Sequence, residues 1–206
     1  PAEVGERHEH VARVRGGARL ATARAVAAHD LACELAAELS SKHGRKVVAL
    51  PLDVTDYAAA QAIVGQAAEA LGGLDGVIAN SGIAMSSKVG KGHFDDDKRI
   101  IETNLIGAIA TLDAATALFR QQGHGHLVAL ASVAGKVGLP ANAGYSASKF
   151  GLIGYVRTLQ AELAGKPIHA TLLLPGFIDT PINRSMQKRP FVIDVQKGAA
   201  LIADHI

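Results

Sequence analysis

From residue 46 onward, short apolar runs alternate with longer stretches whose apolar residues recur every three to four positions. Lys46-Val47-Val48-Ala49-Leu50 reads as a buried strand. Tyr57–Leu71 follows with Ile63, Val64, Ala67 and Leu71 at helical spacing, and Gly72-Gly73 supplies a stop. Leu74-Asp75-Gly76-Val77-Ile78-Ala79 reads as the next strand, residues 96–121 as a long helix, and His126-Leu127-Val128-Ala129-Leu130-Ala131 as a third strand. Residues 146–164 repeat the helical pattern. Residues 168–174 give a fourth strand stopped by Pro175-Gly176, and residues 195–206 a final helical stretch.

Strands that are apolar on both faces, separated by amphipathic helices, need cover on both sides. The pattern therefore predicts an α/β fold: a doubly wound parallel sheet, Rossmann-like and three-layered, in a single domain over residues 31–206. Residues 1–30 stand apart. They hold eight alanines and five arginines, with no Ile, Phe, Ser, Asn or Lys. Residues 11–15, Gly16-Gly17 and residues 18–28 pass for a strand, a turn and a helix. A second helix then occupies residues 31–42, leaving only His29-Asp30 between them, too few for a strand. The first βα units are expected to be absent or degenerate.

Composition narrows the function. Lys+Arg 21 against Asp+Glu 19 gives a net charge of +2 with no long basic block, which argues against a nucleic-acid partner. Charged residues make up 19%, below the usual roughly 25%, which suits a well-buried fold and not a disordered chain. Cys33 is the single cysteine, so an intramolecular disulfide and a thiolate zinc cluster are both ruled out. It falls on a helical pattern near Leu31 and Leu35, where packing is the expected role. No uninterrupted apolar run approaches the roughly 18 residues of a bilayer span, and the N-terminus lacks the apolar core of a secretory signal. A cytoplasmic protein without membrane contact is the expectation.

Tyr145-Ser146-Ala147-Ser148-Lys149 carries the most chemistry. Residues four apart share a helical face, so Tyr145 and Lys149 can point into one site. A free phenol has a pKa of about 10, and a neighbouring ammonium would lower it and make Tyr145 a proton donor and acceptor near neutrality. Taken alone, the pair better fits a surface Tyr and Lys on an ordinary helix. The strand ends weigh against that. Ser132, Asn80-Ser81-Gly82, Asp53 and Pro175-Gly176 each follow a predicted strand, at the edge where such sheets bind ligands.

In order and spacing, Asp53-Val54, Asn80-Ser81-Gly82, Asn104 in Asn104-Leu105-Ile106-Gly107, Ser132, Tyr145, Lys149, Pro175-Gly176 and Thr180 resemble the short-chain dehydrogenase/reductase family. The resemblance runs from about residue 31 to the C-terminus. It implies an oxidoreductase interconverting a carbonyl and a secondary alcohol by hydride transfer, with NADP or NAD as cofactor. Tyr145 would pass the proton to or from the substrate oxygen. Lys149 would lower the Tyr145 pKa and hold the nicotinamide ribose, and Ser132 would hold the reacting oxygen. Asn104 would support a water-linked relay behind Lys149. Asp53 and Val54 would lie at the adenine, Asn80, Ser81 and Gly82 along the adenosine, and Pro175, Gly176 and Thr180 at the nicotinamide end. Partners implied are a small carbonyl or alcohol substrate and further copies of the chain, in a homodimer or homotetramer built on helices near residues 100–120 and 148–163.

Ser81 stands where the family commonly has a second Asn or an Ala. A larger departure is the missing Thr-Gly-x-x-x-Gly-x-Gly turn, which in this family receives the pyrophosphate at a helix N-terminus. Gly16-Gly17 lacks the later glycines. Two ideas follow. The chain is a catalytically silent homologue or fragment serving as a scaffold, or residues 1–30 are translated out of frame from DNA that encoded the missing units. Resequencing the coding DNA decides the second: a single-base shift must restore the glycine turn.

No metal is expected. Asp95-Asp96-Asp97 point about 100° apart on a helix and suit its first turn better than one ion. His124 and His126 lack a third ligand nearby. Phe177, Ile182, Met186 and Phe191 read equally as a substrate-pocket lining or as a loop packing on itself.

Overall fold

The computed structural model describes residues 20–22, 29–183, 186 and 189–206. The strand read at 11–15, Gly16-Gly17 and most of the helix read at 18–28 lie outside the described residues. The elements are β1 (Leu20–Thr22), α1 (His29–His43), α2 (Tyr57–Leu71), β2 (Gly76–Ala79), α3 (Phe94–Ile101), α4 (Gly107–Gln122), β3 (Gly125–Leu130), α5 (Ala143–Glu162), β4 (Ile168–Leu173) and α6 (Val195–Ala203).

The four strands form one parallel sheet in the order β1-β2-β3-β4, flanked by helices in a Rossmann-like α/β arrangement. All four strands being parallel, their C-terminal ends share one edge. Two local expectations are corrected. Leu20–Thr22 falls inside the stretch read as helix, yet it pairs with β2, Leu20 opposite Gly76 and Thr22 opposite Ile78. Alanine's helix preference amounts to tenths of a kcal/mol per residue, and the open backbone of a neighbouring strand outweighs it. Conversely, Lys46–Leu50 is extended but joins no ladder among the described residues. The Val47 N–H donates to Ser40 Oγ at 3.1 Å instead, and Leu50 only rests on the core.

Helix ends follow the sequence signals. Asp56 caps α2 by accepting the Ala59 N–H at 3.1 Å, and Gly72 ends it with φ 74°, the left-handed region that glycine enters without strain. The long helix expected at 96–121 is a continuous run from 94 to 122, interrupted by a π-helical turn at Glu102–Ile106. By length and composition that run could cross a bilayer. Here Ile100, Ala108, Leu112, Ala115 and Phe119 are buried, and the run packs on α2, α5, β2 and β3. Phe119 fits because the facing residue is Gly125: a Cβ there would overlap the ring. Val77, Ala79, Leu127, Ala129, Leu152 and Val156 complete a core between the sheet and the α4–α5 layer. Cys33, expected to pack, is exposed on α1.

Candidate active site

Ser132, Tyr145 and Lys149 come together at the C-terminal edge of the sheet. Ser132 leaves β3 with extended backbone and caps the 3-10 turn Val133–Gly135, its Oγ accepting the Ala134 N–H at 3.2 Å. Gly135 lets that turn lie against α5: a Cβ there would sit 2.7 Å from the Lys149 carbonyl oxygen and 2.6 Å from Ile153 Cδ1. Close approach brings the Ser132 hydroxyl beside the Tyr145 phenol, where it draws the phenol's pKa down. Lys149, one turn along α5, places Nζ 5.7 Å from the centroid of the Tyr145 ring and donates to the Leu130 carbonyl at 2.8 Å.

The electrostatics differ from the expectation for the pair. Burial raises the Tyr145 phenol above its ordinary pKa, and the Ser132 hydroxyl brings it part of the way back. Burial also presses the Lys149 ammonium down, to about 8. Desolvation outweighs the attraction expected to acidify the phenol, so the chain by itself holds Tyr145 protonated at neutral pH.

Asn104 is fully buried in the π-helical turn. Its Oδ1 accepts the Ile83 N–H at 2.7 Å and its Nδ2 donates to the Ile83 carbonyl at 2.8 Å. Both ends of the amide hold the loop after β2, with a longer 3.5 Å approach from Nδ2 to Ser148 Oγ. Gly82 lies between Asn104 and Lys149: a Cβ there would be 3.5 Å from Asn104 Oδ1 and 3.8 Å from Lys149 Nζ. The π-turn thus carries Asn104 to the loop end where Asn80, Ser81 and Gly82 stand, as such interruptions do at functional sites.

A second feature lies beside this triad. Val54, Asn80, Ser81, Gly107 and Thr111 line a small, partly open indentation. Gly107 allows α4 to approach the 53–54 turn, since a Cβ there would be 2.8 Å from the Val54 carbonyl oxygen. Asp53 sits at the exposed rim. Its Oδ1 accepts the Thr55 N–H at 2.9 Å and the Thr55 hydroxyl at 2.7 Å, and these bonds lower its pKa, the backbone bond most. Pro175 is tied to the catalytic side: its carbonyl accepts the Val133 N–H at 3.2 Å. Gly176 is exposed and Thr180 buried.

A dinucleotide fits this donor set at both ends. The Val54–Ser81 indentation offers apolar and polar groups at the edge where a base would lie, and the buried Lys149 amine beside Gly82 suits ribose hydroxyls. The phosphate end differs, because the sequence offers no glycine-rich turn and Gly16-Gly17 lies outside the described residues.

The close backbone approach at Gly107 and Gly135 is not read from the sequence. Asp97, read there only as a first-turn acid, has an Oδ1 that accepts the Gly144 N–H at 2.8 Å just before Tyr145. The acidic run opens α3 as expected, with Asp96 Oδ2 3.1 Å from His93 Nδ1. Phe191 is 97% exposed, so it turns outward and lines no pocket.

The family model for short chain dehydrogenase matches residues 14–190, starting within the atypical N-terminal stretch. An uncharacterized oxidoreductase of Mycobacterium tuberculosis is 36% identical over 84% of this chain and 70% of its own length. A 2-dehydro-3-deoxy-L-rhamnonate dehydrogenase (NAD(+)) of Sphingomonas is 40% identical over 71% of this chain and 57% of that protein. Among solved structures, sorbitol-6-phosphate 2-dehydrogenase of Erwinia amylovora superposes with a TM-score of 0.69 at 28% identity, over 72% of this chain and 59% of that one. The chain thus spans about three fifths to two thirds of the length of such relatives. A match of this extent, on a sheet edge bearing the same ordered residues, makes the chain a member of the short-chain dehydrogenase/reductase family.

Proposed function

We propose that the protein interconverts a carbonyl and a secondary alcohol, with NAD or NADP supplying or accepting the hydride when bound. The Rossmann-like fold of this oxidoreductase family implies a capacity to bind a dinucleotide, without choosing between the two. One observation carries the reading: the Ser132 hydroxyl beside the Tyr145 phenol, with the Lys149 ammonium 5.7 Å from the ring.

In the reducing direction, Tyr145 gives its phenolic proton to the substrate oxygen as negative charge builds there. Its raised pKa keeps that proton in place at neutral pH. Ser132 donates to the same oxygen and holds it beside the phenol. The phenolate left behind is stabilised by the Lys149 charge and takes a proton back from solvent. Lys149 and Asn80 to Gly82 would hold the ribose groups, Val54 and Asp53 the adenine side, and Pro175, Gly176 and Thr180 the nicotinamide side. Asn104 holds the 80–83 loop in place, and a water relay through it would use a group other than the amide ends bonded to Ile83. We further propose a cytoplasmic homodimer or homotetramer, supported by the single cysteine and by exposed Ile106 and Phe150 on the expected helices.

The missing glycine turn favours a second reading, a silent homologue that keeps the scaffold without the dinucleotide. Titrating NADH and NADPH into the purified chain separates them. Saturable enhancement of nicotinamide fluorescence supports the enzyme, and none at millimolar concentrations supports the scaffold.

A further inference from the structure

The segment after β4 carries a cluster with no role in the chemistry above. Arg189 Nη1 bonds the Asp179 carboxylate and, at 3.2 Å, Asn183 Oδ1. Asn183 in turn reaches both sides of Asp179: its Nδ2 donates to the Ile178 carbonyl at 2.8 Å and its backbone N–H to the Thr180 carbonyl at 3.1 Å. The Asp179 N–H donates to the Ile193 carbonyl at 2.8 Å, and the Ile193 N–H to the Phe177 carbonyl at 3.0 Å. Residues 177–180 are therefore gripped from the far side of their own loop, and Thr180 is buried.

An exposed ion pair contributes little by itself. This one differs in two respects. The Arg189 side chain is only 25% exposed, and its guanidinium joins two acceptors, six and ten residues back along the chain. Both bonds leave the same nitrogen, Nη1, so one donor group holds the two acceptors together. The loop is also tied to the catalytic side, through the Pro175 carbonyl and the N–H of Val133, the residue after Ser132.

We infer that Arg189 is a positioning residue, which ties Asp179 and Asn183 to the 189–193 segment and so fixes Thr180 at the nicotinamide end before the dinucleotide arrives. The inference rests on the function proposed above. Ordering the loop in the free protein removes that entropy cost from the binding step, and affinity rises accordingly.

The test compares wild type with Arg189→Gln, Arg189→Lys and Asn183→Ala by fluorescence titration with NADH and NADPH. Trypsin cleavage after Arg184 and Lys188 is followed in parallel, with the melting temperature as a check on the fold. Arg189→Gln is expected to weaken dinucleotide binding about tenfold, the loss of one or two charge-assisted bonds. It also speeds cleavage at Arg184 and Lys188, and the melting temperature stays close to wild type. Arg189→Lys recovers part of the affinity, and Asn183→Ala falls between. If Arg189→Gln binds as tightly as wild type, the positioning role is overturned, whatever happens to cleavage. If wild type itself binds neither dinucleotide, the proposed function fails, and the role of Arg189 with it.

Discussion

Lys149 and Tyr145, 5.7 Å apart from nitrogen to ring centroid, are both driven toward their neutral forms by the same burial. A stability profile should record this. Between pH 8 and about 10.5 the unfolded chain keeps the Lys149 proton while the folded chain has lost it, so stability rises with pH across that window. Below about 8 both states are charged, and the penalty is constant, on the order of 2–3 kcal/mol. Tyr145 acts the other way above about pH 10, where the folded chain retains a proton the unfolded one gives up. Urea denaturation at pH 7, 8, 9 and 10 should show wild type gaining stability relative to Lys149→Met. Parallel profiles for the two would mean that Lys149 is solvated.

Tyr145→Phe removes the hydroxyl that meets the substrate oxygen and leaves the ring. With any carbonyl that wild type reduces, kcat should fall by about 10²-fold or more. NADH and NADPH dissociation constants should stay within about twofold, a difference of about 0.4 kcal/mol, since the lost hydroxyl acts on the substrate oxygen. Retention of most turnover would remove Tyr145 from the proton-transfer step.

How much of this was legible beforehand depends on the range of the interactions. Strands β2, β3 and β4 and helices α2 and α5 emerge from local signals: apolar runs, helical spacing, a glycine stop. Ser132, Tyr145 and Lys149 converge because parallel strands put their C-terminal ends on one edge. What failed was decided by tertiary partners. Leu20–Thr22 is a strand because β2 offers it a ladder, and the Val47 backbone donor goes to Ser40. The π-turn at Asn104 leaves the apolar periodicity of its helix nearly intact. The acidifying effect expected of Lys149 depended on a solvation that burial removes.

Asn104 should matter to stability independently of chemistry. Asn104→Leu leaves the Ile83 N–H and carbonyl without partners in a buried setting, at a cost of about 1–3 kcal/mol for each group that water does not reach. Asn104→Asp keeps an acceptor for the N–H but sets a carboxylate oxygen against the Ile83 carbonyl, and should also destabilise. Denaturation midpoints at pH 7 check both, and a neutral Asn104→Leu would show the amide bonds to be dispensable.

Gly135→Ala probes the contact that brings Ser132 to Tyr145. A methyl group 2.7 Å from the Lys149 carbonyl oxygen meets backbone, which does not swing aside as a side chain would. Overpacking of this kind costs about 1–3 kcal/mol. The 3-10 turn should move off α5 and draw Ser132 away from Tyr145, lowering kcat more than dinucleotide affinity. Equal losses in both would point to general unfolding instead.

Asp97 separates a charge effect from a hydrogen bond at the start of α5. Its Oδ1 accepts the Gly144 N–H at 2.8 Å, one residue before Tyr145, and a Cβ on Gly144 would lie 2.7 Å from the Asp97 Cα. The carboxylate therefore satisfies one of the free N–H groups of the helix and places negative charge at its positive end. Asp97→Asn keeps an acceptor and loses the charge, which should cost about 0.3–1 kcal/mol. Asp97→Ala loses both, for about 1–2 kcal/mol. Because the charge component is screened, raising salt to about 1 M should narrow the gap between wild type and Asp97→Asn and leave that between Asp97→Asn and Asp97→Ala in place. Urea midpoints at low and high salt test this, and a salt-independent gap for Asp97→Asn would assign the whole effect to hydrogen-bond geometry.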